Sequence, residues 1–237
     1  MSLVEYLDNK FYPDFQKNWD DHLFREKVLA VIRPEHDLLD MGAGAGIIDC
    51  MNFRGLVRSA TGIDLDERVT ENPFLDKGFI GDVTQTPFDD GSFDIIICDN
   101  VMEHIEKPEA FLDEVARLLK PGGIFLGKTP NKWHYMPLIA ANTPLWFHKF
   151  YNKLRGRNEE DTFPTHYRLN TPADVRRLAS GANLETVDVA LYEGRPEYLR
   201  IFFVLYLFGI FYERLVNKVG FMRRFAILLV TSLKKPG

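Results

Sequence analysis

The 237-residue chain has only two cysteines, Cys50 and Cys98, far apart and outside any CxxC pair. This excludes a disulfide framework and a zinc ribbon, and it fits a chain kept in a reducing cytoplasm. Long hydrophobic runs are also lacking. The apolar stretch 201–212 is uncharged but holds twelve residues, whereas a membrane span needs about 20. Residues 1–10 carry Glu5 and Asp8 and no apolar core, so they are not expected to be a signal peptide. Positive charge is not in excess. With 29 basic against 34 acidic residues the net charge is -5, so no nucleic acid partner is expected. No His/Cys/Asp cluster has metal-ligand spacing, and no metal is expected. What remains is a globular composition, 46% hydrophobic and 27% charged, in one large domain without repeats or flexible linkers.

From residue 37 to 127 short apolar runs alternate with helix-like stretches, the rhythm of βαβ units around a mostly parallel sheet. The runs are 37–41, 59–64, 78–82, 93–98 and 123–128. They are continuously apolar rather than alternating, as strands buried on both faces require. Residues 108–119 read as a helix, with Phe111, Leu112, Val115, Leu118 and Leu119 at helical spacing and Pro108 near its start. Lys120-Pro121-Gly122-Gly123 stops it. Upstream, 15–33 reads as one amphipathic helix. Downstream, 131–170 breaks the rhythm and reads as an insertion. Thr171 and Pro172 open a helix that ends near Gly181. Strands are expected at 184–192 and 225–232, with a strongly apolar helix over 197–218 between them.

The most informative stretch is Asp40-Met41-Gly42-Ala43-Gly44-Ala45-Gly46. It is read as the turn from a strand into a helix, where glycines let the backbone bend sharply and approach a ligand. A dinucleotide loop of the form G-x-G-x-x-G needs a third glycine. Counted from either glycine pair that position is Ile47 or Asp49. An acid at Asp40 would also repel a pyrophosphate, but would suit a ligand bearing an ammonium and a sulfonium.

Asp40, Gly42, Gly44 and Gly46 resemble the first motif of the class I S-adenosylmethionine-dependent methyltransferases, an acid followed by G-x-G-x-G. The resemblance continues in order through Thr61-Gly62-Ile63-Asp64, Gly81-Asp82-Val83, the strand Ser92 to Asp99, Val101-Met102-Glu103-His104-Ile105, and Leu119-Lys120-Pro121-Gly122-Gly123. It implies a doubly wound, Rossmann-like α/β fold with a seven-stranded, mostly parallel sheet, helices on both faces and the last strand antiparallel. It implies S-adenosylmethionine as cofactor, held by Asp40, Gly42, Ala43, Gly44, Gly46, Asp64, Leu65, Asp82, Val83, Asp99 and Asn100. Asp64 can accept from both hydroxyls of a vicinal ribose diol. Asp82 can accept from the adenine amine, while the Val83 amide can donate to the ring. Asp40 would neutralise the methionine ammonium. A non-catalytic binding module and a nicotinamide oxidoreductase stand as rival readings.

Methyl transfer from a sulfonium is an in-line displacement that chiefly needs alignment; a hydroxyl acceptor also needs a base. The acceptor is expected to be a small or lipid-linked molecule methylated on oxygen. His134 and His166 in the insertion 131–170 are the candidate bases, among aromatics that include Trp133, Tyr135, Trp146, Phe147, Phe150, Tyr151 and Tyr167. Residues 1–36 are expected as an N-terminal helical lid, with the methyltransferase domain over 37–237 and acceptor-side insertions at 131–170 and 197–224. The last of these joins an apolar helix to a basic tail. It fits a roof over the acceptor, an oligomer contact, or peripheral contact of a cytoplasmic protein with the inner face of an anionic membrane.

Overall fold

The computed structural model describes residues 2–15, 17–142 and 164–237. Seven strands form one sheet: β1 (Asp37–Met41), β2 (Ser59–Asp64), β3 (Lys77–Ile80), β4 (Phe93–Asp99), β5 (Leu119–Pro130), β6 (Glu185–Tyr192) and β7 (Leu228–Lys234). Their order is β3-β2-β1-β4-β5-β7-β6. The first five strands run parallel, and β7 runs antiparallel to both β5 and β6. The chain reverses its winding between β1 and β4, the crevice in which open α/β sheets bind ligands.

Both sheet faces are apolar, which is why the central runs are continuous. In β4, Ile96 and Cys98 face one layer while Ile95 and Ile97 face the other, the period of two that a strand imposes. The first layer is α3 (Pro108–Leu118) with α5 (Pro172–Gly181). Phe111, Val115, Val175 and Leu178 pack there against Leu39, Met41 and Phe125. The second is α2 (Trp19–Leu29), whose Phe24 and Val28 pack on Leu38, Leu126 and Val230. The expected start of α5 is observed: the Thr171 side chain accepts the Asp174 N–H, and Pro172 follows at the first turn.

Four expectations change. The glycine loop does not open into an α-helix. Only a 3-10 turn, Asp49–Met51, separates it from β2. Arg25 donates to the carbonyls of Cys50 (2.6 Å) and Asn52 (2.8 Å), so these oxygens are satisfied from outside rather than by a helical ladder. The helix read at 15–33 is α2 alone, preceded by a separate α1 (Leu3–Phe11) that a Ser2–Glu5 capping box starts. Strand β5 extends through Lys120-Pro121-Gly122-Gly123, because Leu119 already pairs with Phe93 before the register shifts at Ile95. The last strand begins at Leu228, since Gly220–Phe225 forms a 3-10 turn. Between β6 and β7 lies α6 (Phe203–Lys218), after a short 3-10 turn at Glu197–Leu199. The remaining helix, α4 (Tyr135–Asn142), follows β5. Of the aromatics named in the insertion, Trp146, Phe147, Phe150 and Tyr151 lie outside the described residues.

Candidate active site

The glycine loop leaves β1 and folds back against β2. The Gly42 N–H donates to the Ile63 carbonyl at 2.8 Å. A Cβ on Gly42 (φ +92°) would sit 2.1 Å from Val101, the loop after β4. The loop is thus threaded between two strand ends, and only glycine fits there. Asn72, buried, clasps it from the far side, donating to the carbonyls of Ala43 (3.0 Å) and Gly44 (3.1 Å). Nothing in the sequence marked Asn72, since no spacing rule ties it to the loop.

Asp64 is the last residue of β2. Its Oδ2 accepts the Gly44 N–H at 2.8 Å and its Oδ1 the Asp66 N–H at 2.9 Å. Two amides therefore aim the carboxylate, and each oxygen keeps a second acceptor site. Leu65 beside it is exposed. The Gly81 N–H donates to the Asp64 carbonyl, bringing the end of β3 to the same mouth. There Asp82 shapes a turn: its Oδ1 accepts both the Thr84 N–H (2.7 Å) and the Thr84 hydroxyl (2.8 Å). Val83 turns its side chain into the core. Asn100, at φ +53°, holds a left-handed turn and donates its N–H to the Lys128 carbonyl.

Electrostatics separate Asp40 from Asp99. The Asp40 Oδ1 is sealed from solvent with no hydrogen-bond partner. Burial, then the Asp99 and Asp64 carboxylates, push its pKa up to about 8. Asp99 is raised by burial to about 7, although the Lys128 ammonium pulls the other way. Lys128 was not anticipated as a site residue. Its side chain is 0% exposed, with its Nζ 2.9 Å from Asp99 Oδ1, 3.3 Å from Asp20 and in contact with Asp21 at the start of α2. Asp99 is therefore engaged by a lysine. The carboxyl left without a cation is Asp40.

His134 and His166 are not brought together. His166 is exposed and held by its backbone, whose N–H donates to the Glu103 carbonyl at 2.7 Å. His134 is buried and lines a cavity of about 300 Å3 with Phe15, Trp19, Asp20, Tyr135, Glu193 and Arg195. The Met136 N–H donates to its Nδ1 at 3.2 Å, which assigns the proton of the neutral ring to Nε2. Nε2 has no hydrogen-bond partner and lies 3.8 Å from Glu193 Oε2. Burial lowers the His134 pKa to about 3 and raises that of Glu193, which accepts the Ile227 N–H, to about 8. The histidine is consequently a neutral donor, and Glu193 beside it holds its proton at neutral pH and becomes a strong base only as it ionises. Asp20 joins this cavity to Lys128 and, through it, to Asp99 at the cofactor mouth.

The residues present fit S-adenosylmethionine. A half-buried carboxyl with one sealed, partnerless oxygen suits its cationic end, and the aimed carboxylate of Asp64 suits a ribose diol. No group of three or more His, Cys, Asp or Glu arranged to hold a metal occurs among the described residues.

Comparison with known proteins agrees. A family model described as a methyltransferase domain matches residues 16–189. A probable S-adenosylmethionine-dependent methyltransferase of Mycolicibacterium smegmatis is 29% identical, over 53% of this chain and 51% of its own. The chain thus spans about half the length of that relative. A ubiquinone biosynthesis O-methyltransferase of Idiomarina loihiensis is also 29% identical, over 74% of this chain and 68% of its own. In fold, the crystal structure of the YcgJ protein of Bacillus subtilis superposes with a TM-score of 0.58 at 21% identity, covering 91% of this chain and 99% of the other. With the glycine loop, the lone Asp40 and the strand order, these matches set aside the nicotinamide reading: the chain belongs to the class I S-adenosylmethionine-dependent methyltransferases.

Proposed function

We propose that the protein transfers a methyl group from S-adenosylmethionine to a hydroxyl oxygen of a small or lipid-linked acceptor, with Glu193 as the general base. The observation that carries this reading is the cavity at the strand ends, where a carboxyl of pKa about 8 stands beside an unpartnered imidazole N–H. Relatives with the name ubiquinone biosynthesis O-methyltransferase support oxygen as the acceptor atom.

When bound, S-adenosylmethionine supplies an activated methyl on a sulfonium sulfur. Asp64, Leu65 and the loop Gly42 to Gly46 would hold its nucleoside, and Asp40 would balance its charge. In the cavity the walls of Phe15, Trp19 and Tyr135 exclude water and bind an apolar body. Glu193 takes the hydroxyl proton as the oxygen becomes nucleophilic. With its pKa raised to about 8, Glu193 is a strong base in its ionised form, and turnover is expected to rise as that form accumulates toward pH 8. The His134 Nε2–H steadies the same oxygen as it gains charge.

The test is formation of S-adenosylhomocysteine over a panel of phenolic, alcoholic, amine and carbon acceptors. Glu193→Gln keeps the shape of the side chain, so kcat is expected to fall about a hundredfold or more while the cofactor Kd is unchanged. Full turnover in Glu193→Gln would remove the base assignment. Transfer confined to amine or carbon acceptors would remove the oxygen assignment.

A further inference from the structure

The two sides of α6 differ sharply. One is built into the molecule. Tyr206 and Ile210 pack with Leu7 of α1, Gly209 abuts Pro196, and Tyr212 meets the rings of His134 and Tyr135 at the acceptor cavity. The other side is bare. Val204, Leu207, Phe208 and Phe211, at helical spacing along one stripe, are exposed, with Phe208 and Phe211 at 66% and 68%. The same stripe runs on into Arg214 and Lys218, both exposed. The 3-10 turn that follows adds exposed Phe221, Arg223 and Arg224. Between residues 202 and 225 the single acid is Glu213. It is buried, accepting from Tyr12 and Asn217 and paired with Arg214. Every other charge between residues 202 and 225 is positive.

We propose that α6 and the turn Gly220–Phe225 lie flat on an anionic lipid bilayer, with the phenylalanine stripe among the acyl chains and Arg214, Lys218, Arg223 and Arg224 against the headgroups. Apolar and basic residues in one contiguous surface match both layers of a lipid interface. A second copy of the chain fits less well. An isologous contact through this segment would set its cations against their own counterparts, with no exposed acid of the segment between them. Nor does the helix cross: none among the described residues is long and apolar enough to span a membrane. Because Tyr212 of α6 packs on His134 and Tyr135, which line the acceptor cavity, this docking would set the cavity near the lipid surface.

The full chain is sedimented with vesicles of phosphatidylcholine, alone and with about 30% phosphatidylglycerol. Binding is expected on the anionic vesicles and much less on the neutral ones. It should fall about tenfold in Phe208→Asp/Phe211→Asp, and severalfold in Arg223→Glu/Arg224→Glu and at high salt. Both variants should keep the wild-type Tm and S-adenosylmethionine affinity. The proposal is overturned if the wild type ignores anionic vesicles, or if the phenylalanine variant binds them undiminished. It is equally overturned if that variant loses several degrees of Tm, which assigns the stripe to packing within the chain, or if it splits a dimer present in solution. Vesicle binding involves no methyl transfer, so this outcome is separate from that of the acceptor assignment.

Discussion

A carboxyl that is buried among like charges keeps its proton until a cation arrives, and Asp40 is in that position. With its pKa near 8 it is mostly protonated at pH 7. A ligand bearing a sulfonium and an ammonium favours the ionised form, so binding should expel close to one proton. Calorimetry in buffers of differing ionisation enthalpy measures that release. In Asp40→Asn the release should vanish and affinity fall by about tenfold or more; an unchanged release would locate the proton elsewhere. Asp40 was legible from its place before the glycines. Glu193 was not, because no motif surrounds it. It meets His134 only through the way β6 leads into the loop beside Ile227. The tautomer of His134 was equally hidden, being decided by the backbone N–H of Met136.

Among the elements, the seam between β5 and α2 holds a cluster of one lysine and three carboxyls. The fully buried Lys128 is countered by Asp20, Asp21 and Asp99, and its ammonium is held charged, its pKa raised. Lys128→Met keeps much of the side-chain volume but leaves three carboxyls facing one another. Removing one side of such a buried group costs about 3–5 kcal/mol. Denaturant unfolding should show that loss, and it should shrink at low pH where the carboxyls are protonated. A loss below about 1 kcal/mol would mean that the cluster is solvated. This seam also qualifies the reading of residues 1–36 as a lid. The α2 helix is a layer of the core, and the part that lines the cavity is the stretch from Phe15 to Trp19. The helix period of α3 and the cap of α5 were readable locally. The missing helix after the glycine loop was not, because Arg25 supplies its hydrogen bonds from another element.

For the whole molecule, the buried carboxyls set the pH profile. Asp40, Asp99 and Glu193 have pKa values raised to about 8, 7 and 8. A raised folded pKa means that the folded state binds more protons than the unfolded one. The associated stability is fully present below the unfolded pKa, about 4, and is lost as pH rises through the folded values. His134, lowered to about 3, opposes this only on the acid side: its folded form resists protonation, so stability falls as pH drops below about 6.5. The Tm of the protein without cofactor should therefore decline steadily from pH 6 to 9. Saturating S-adenosylmethionine should flatten that decline, since Asp40 is already ionised in the complex. Calorimetric melts across this range check both statements, and a Tm that rises toward pH 9 would contradict them.

The sequence by itself determined the parallel core, the glycine loop with its acids and hence the cofactor class. These are written in contiguous runs whose hydrophobic period and glycine spacing act locally. Tertiary structure alone decided that Asp99 answers to Lys128 while Asp40 stays unpaired, that Glu193 lies beside the N–H of a buried, neutral His134, and that one side of α6 is bare. Each of these depends on which groups from distant segments share a buried space, and that sharing alone sets whether a charge is matched, a proton is held or an apolar face finds cover.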